Sequence, residues 1–128
     1  ASINTYHNAA NTKSNILTKS ILNDNSKSLT RGLIRINENA KFSKGFQKED
    51  ALILSENAEA NAIPNLEIRN DEVSSKHAAS VGRIDNQHIY YLQTKGLSEE
   101  QAKKLILNGF IKEVSEKFDK NIQEQLII

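Results

Sequence analysis

Cysteine, methionine and tryptophan are all missing from the chain. Without cysteine, neither a disulfide nor a thiolate-held metal site can form within it, and the expected compartment is the cytoplasm. There is one proline and there are five glycines, too few for flexible linkers, and abundant asparagine takes over the turns. No apolar run approaches the roughly 18 residues that a membrane-spanning helix needs. The opening residues ASINTYHN have neither the charged start nor the apolar core of a secretory signal. They also lack an initiator methionine, so the expectation is a fragment or a processed product. Neither sign of charge dominates: 17 basic and 16 acidic side chains leave a net charge of +1. A general phosphate-binding surface of the kind nucleic-acid binders use is therefore not expected. No GxxxxGK[ST] loop is present, so any ATP chemistry belongs to a partner.

What remains is ordinary for a soluble domain: 26% charged and 38% apolar residues, over 128 positions that suit one domain or a domain with a small appendage. Two halves differ in period. Residues 1–84 alternate apolar and polar residues in short stretches, as in SNILTKSIL (14–22), SLTRGLIRI (28–36), ALIL (51–54) and NLEI (65–68). The stretches NTKSN, NSKSLT, NAKFSKG and NAEANAIP resemble one another. Their small residues fall at Thr12, Ser26, Ala40 and Ala58, with Val73 continuing the series, at steps of 14, 14, 18 and 15. Strands of four to six residues recurring at that spacing predict stacked parallel β-helix coils; the alternative is an antiparallel sandwich.

Residues 85–128 read as helical. Asp85 is placed as an N-cap, HIYYL (88–92) as the heart of a short helix and Gly96 at its end. After a two-residue break, Ser98 and Gln101 form a capping box that opens a second helix. That helix carries Ala102, Leu105, Ile106, Phe110, Val114 and Phe118 as its apolar stripe, with Gly109 marking a close packing contact.

The run EVSSKHAASVGRIDNQHIYYLQTKGLSEEQAKKLILNG, from Glu72 to Gly109, resembles the C-terminal signature of the SufB/SufD family of iron–sulfur cluster assembly proteins. KSLTRGLIRI, FQKEDALILSENA and IPNLEI resemble that family's β-helix coils, and the likeness covers the chain from about Asn8 to Val114. The resemblance implies a right-handed parallel β-helix core (1–84) followed by a helical region (85–128). It implies pairing with a second SufB/SufD-type chain, as a homodimer or heterodimer, and docking of a SufC-type ABC ATPase on the helical region. The whole would be a non-enzymatic scaffold that assembles and transfers nascent iron–sulfur clusters. It also implies a C-terminal fragment that begins partway through the β-helix, with an open edge on its first coil.

Within the resemblance, His77 matches a histidine implicated in cluster assembly beside a partner's cysteine. Imidazole is a common iron ligand and proton carrier. The competing reading is that His77 only fills a strand position with its ring hydrogen-bonded. The SufB-type cysteine on the penultimate coil is missing, since Ala58 and Glu59 stand there, and Ser75 occupies a position where SufD relatives often carry another. A cluster prefers thiolate, so none is expected on this cysteine-free chain alone, which looks more SufD-like. His7 and His88 match no known ligand. Asp85, Gln87, Tyr90, Tyr91 and Gln93 are the expected ATPase-docking residues, with one tyrosine packed against the β core and the other available to a partner. The alternative classes are a carbohydrate-active β-helix enzyme, for which adjacent Glu49 and Asp50 point to opposite faces, a structural interaction module, and a transporter component, which no membrane segment supports.

Overall fold

The computed structural model describes residues 1–126. Six strands come first: β1 (Ser2–His7), β2 (Lys13–Leu22), β3 (Lys27–Ile36), β4 (Lys44–Ile53), β5 (Glu59–Ile68) and β6 (Ser74–Arg83). Three helices follow: α1 (Asn86–Thr94), α2 (Glu99–Ser115) and α3 (Lys120–Leu126). The chain divides into two compact units, 1–82 and 83–128, and residues 127 and 128 of the expected helical region lie outside the described residues.

In the first unit the odd strands form one sheet, β1-β3-β5, and the even strands another, β2-β4-β6. Each strand pairs in parallel with the strand two places on. Ser2 lies opposite Arg31, Lys13 opposite Lys44 and Lys27 opposite Glu59. A parallel pair needs a crossover of a dozen or more residues, and here that crossover contains a strand of the other sheet. The architecture is thus mainly β, with two parallel three-stranded sheets and a small helical region.

Turn chemistry follows from the asparagines. Asn11 and Asp24 sit at φ 60° and 57°, in the left-handed region that short polar side chains tolerate. Asn37 Nδ2 donates to Asn8 Oδ1, and Asn70 Nδ2 donates to the Glu38 carbonyl, each at 2.5 Å, so corner amides tie successive levels together. Backbone bonds do the same, from Asn11 N to the Lys41 carbonyl and from Phe42 N to the Glu72 carbonyl, both 2.8 Å.

Five of the six strands are ten residues long, twice the expected length. ALIL covers only the last three residues of β4 and runs one residue past it, and NLEI is only the last four residues of β5. Thr12, Ser26, Ala58 and Val73 each immediately precede a strand, but the residue in that position before β4 is buried Ser43, not Ala40. The apolar interior consists of two clusters. Ile34, Ile36 and Ala40 are fully buried with Ile16, Leu66 and Val73 against them, and Leu22, Ile53 and Ala58 pack with Ala51 and Ala60. Gln47, Glu49 and Thr30 are buried as well, so part of the interior is polar. Gly32 has no side chain because a Cβ there would collide with the Gln47 amide.

In the second unit, Asp85 caps α1 by accepting from the Gln87 amide at 2.8 Å, and Lys95 and Gly96 close the helix, Gly96 at φ 95°. The Ser98–Gln101 capping box is formed in both directions. The break between α1 and α2 is four residues (95–98), not two. Ala102 and Leu107 are the buried residues of α2, whereas Leu105 is 52% exposed. Nothing lies within 4 Å of a Cβ built on Gly109, so that glycine marks no close contact.

Candidate functional site

The strand that carries His77 is bonded to β4 and is largely exposed along its length. The Ser74 amide donates to the Ser43 carbonyl at 3.1 Å, the relation by which the Lys44 amide meets Thr12 one strand earlier in the sheet. Ser80 Oγ donates to Asp50 Oδ1 at 2.7 Å, which fits the same 30-residue offset. His77 is therefore opposite Gln47. Strand alternation puts it on the face that also carries Ser75, whose Oγ lies 3.4 Å from a Cβ built on Gly45.

Behind His77 lies a polar interior. Gln47 Nε2 donates to Glu49 Oε1 at 2.5 Å along β4. Gln47 Oε1, Glu49 Oε2, Thr18 Oγ1 and Ser75 Oγ are buried with no hydrogen-bond partner among the described residues. A buried polar oxygen without a partner is costly, so this row is kept against the ordinary trend of a β core.

On the opposite face of β4, Asp50 fastens the edge strand. Burial pushes its carboxyl up, but hydrogen bonds from Ser80, Lys48 and Lys19 outweigh this and hold it below its ordinary value of 3.8. The ammonium groups of Lys19 and Lys48 stand 3.2 and 3.1 Å from Asp50 Oδ2. Glu49 and Asp50 thus point to opposite faces and build no acid–base pair of the kind glycoside hydrolysis needs.

His7 is a buried histidine that sequence reasoning left without a role. Its Nδ1 is 2.6 Å from Thr12 Oγ1 and its Nε2 2.8 Å from Ser14 Oγ, while Thr12 Oγ1 is 2.8 Å from Ser43 Oγ. Both ring nitrogens are engaged by hydroxyls, which makes His7 a structural cross-link between two corners. His88, by contrast, is exposed on α1, 4.0 Å from Asp85.

The five docking candidates occupy α1 and its cap. Asp85 and Gln87 are joined by the cap itself. Gln87, Tyr90 and Tyr91 are spaced three and four and share a helix face. Tyr90 is 69% and Tyr91 58% exposed. The inward residue is Ile89, between His88 and Tyr90. Lys95 Nζ lies 5.4 Å from the centre of the Tyr91 ring, and Gln93 is exposed on the last turn.

No group of three His, Cys, Asp or Glu side chains gathers closely enough to hold a metal ion among the described residues. Serine stands at position 75 and alanine at position 58.

Residues 1–110 match the family model described as the SufBD core domain of SUF-system FeS cluster assembly. An iron–sulfur cluster assembly SufBD family protein of Staphylococcus saprophyticus is 37% identical over 105 residues, covering 82% of this chain and 23% of the relative. One of Staphylococcus aureus (strain USA300) is 36% identical over the same share of each chain. One of Mycobacterium leprae is 32% identical over 109 residues, 85% of this chain and 12% of that longer protein. The chain thus spans less than a quarter of the length of these relatives. With a match that extends from β1 into α2, the chain belongs to the SufBD family of iron–sulfur cluster assembly proteins.

Proposed function

We propose that the chain is part of a non-enzymatic scaffold subunit in a SUF-type assembly complex, which docks a SufC-type ABC ATPase and helps build and pass on nascent iron–sulfur clusters. The observation that carries this reading is the family match over residues 1–110, which takes in His77 and all five α1 candidates. In this reading the two sheets are the last coils of a right-handed parallel β-helix. Strands that alternate between two sheets, each in register with a strand 29, 31 or 32 residues on, support it. His77 would act at a junction with a second SufB/SufD-type chain, homologous or identical, that supplies the missing thiolate. The exposure of β6 on its small residues Ala78, Ala79 and Ser80 supports that role. The cluster is cargo of the assembled complex, and the cytoplasm is where such a complex would work.

The exposed Tyr90 and Tyr91 rings bring apolar area with a polar tip, which suits a protein interface better than water. The test is co-purification with the SufC-type ATPase of the same organism, wild type beside Tyr91→Ala. A stable complex weakened by the substitution is the expected result. Absence of any complex, with circular dichroism showing the chain folded, would remove the docking role and leave the fold standing.

A further inference from the structure

Phe42 is out of character for its position. It sits at φ 60°, a left-handed conformation that a bulky side chain adopts only under strain. The matching corner one level earlier is Asn11, also at φ 60°, and there the residue is one that tolerates it. The two are equivalent because each donates its amide to the carbonyl of the next level, Lys41 for Asn11 and Glu72 for Phe42. The strained residue is not held in place by packing, since its ring is 58% exposed.

Its surroundings are basic. Lys13 and Lys44 lie directly opposite one another on β2 and β4, an arrangement of like charges that weakens a sheet. Lys76 on β6 lies opposite Phe46, two residues past Lys44, so the three lysines flank that ring, which is 38% exposed. None of the three lysines makes an ion pair with another side chain among the described residues. Two shallow hollows of about 480 and 530 Å³ share Lys13 and Lys44 as lining, one reaching Phe46 and Lys76, the other Phe42. The acidic groups at the second hollow are Asp71 and Glu72, and Glu72 is already held by Lys41 at 2.9 Å. Strain, repulsion and exposed aromatic area are three stability losses in one patch, and function is the ordinary reason for keeping such losses together.

We infer that Phe42, Phe46 and the lysines Lys13, Lys44 and Lys76 around them form a docking surface for an acidic, apolar-bearing segment of another protein. The lysines supply charge complementarity and set the rate and salt dependence of association. The two rings supply the desolvated anchors that carry affinity. Nucleic acid would satisfy the lysines and stack on the rings as well, but the neighbouring Asp71 and Glu72 carboxylates oppose a continuous phosphate track. The inference uses only residues of the first unit and does not depend on the scaffold reading or on the ATPase.

The test is fluorescence anisotropy of the chain with a short labelled peptide alternating glutamate and leucine. The controls are the same peptide with lysine for glutamate or serine for leucine, and a single-stranded oligonucleotide. Binding to the glutamate–leucine peptide alone, weakening as salt rises, is the expected result. The triple variant Lys13→Gln, Lys44→Gln, Lys76→Gln and the single variant Phe42→Asn should each lose about tenfold in affinity. Because asparagine relieves the strain, Phe42→Asn should melt no lower than wild type while binding less. No binding, equal binding of the serine peptide or the oligonucleotide, or a lowered melting temperature for Phe42→Asn would each overturn the inference.

Discussion

Gly109 shows how a single residue can be misread from sequence and then put to use. A glycine inside a helical stripe suggests two backbones in close approach, yet α2 has open space where its Cβ would be. In the expected stripe around it Ala102 is buried and Ile106, Phe110 and Val114 are half-buried, but Leu105 is exposed and Leu107 takes the inward place. LILNGF offers apolar residues at three consecutive positions, and periodicity alone does not choose which of them turns inward. With nothing to collide with, Gly109→Ala removes the backbone entropy that glycine loses on folding. It is expected to stabilise the helical unit by about 0.5–1 kcal/mol. A urea melt followed by helical circular dichroism checks this, and a loss of stability would mean that the site is more crowded than it is here. His77 was legible in a different way. Its residue type and family position identified it, but only the register with β4 places it opposite Gln47, in front of the buried row Gln47, Glu49 and Thr18.

Among the elements, the helices were read better than the strands, and the reason is local. A cap is a contact between residues two or three positions apart, so it is written in adjacent sequence. Asp85 and the Ser98–Gln101 box stand where their residue types put them. Ser98→Ala removes the hydroxyl that accepts from the Gln101 amide, and is expected to cost about 1 kcal/mol. Ser98→Asp should restore most of that, since a carboxylate accepts the same bond and suits the helix N-terminus. Unfolding curves of the three proteins decide it; an alanine variant as stable as wild type would mean the cap is replaced by water. The strands were cut short because β4 begins KGFQKED, which holds one large apolar residue, and that residue faces out. Inward Gln47 and Glu49 break the rule that inward means apolar. α3 was missed for a related reason, as KNIQEQL is too short and too polar to show a stripe.

At the scale of the whole molecule, near-neutral composition conceals how the charges are arranged. Seventeen basic and sixteen acidic groups nearly cancel, yet several acids are drawn into pairs while Lys13, Lys44 and Lys76, which line one hollow, make no ion pair among the described residues. Asp50 is bound by Ser80, Lys48 and Lys19, Glu67 by Arg35, Glu59 by Asn61 and Lys27, and Glu99 by Lys103. Each of these four carboxyls is held below its ordinary value, 3.8 for Asp50 and 4.5 for the glutamates. A depressed carboxyl contributes stability that is fully present above its unfolded pKa and is lost as pH falls through its lower folded pKa. Stability should therefore hold from neutral pH down to the ordinary carboxylate values and decline below them. The glutamates are solvent-exposed, so their share is small and screened by salt. Asp50 is sheltered, and its bonds fasten the edge strand that carries His77, so it should dominate the acid limb. The measurement is the urea midpoint against pH, for wild type and Asp50→Asn, at low and high salt. Asp50→Asn should be less stable at neutral pH and show a flatter acid limb, and the part that salt removes should be alike in both proteins. If the two curves run parallel, Asp50 does not hold β6, and the position of His77 rests on the backbone ladder alone.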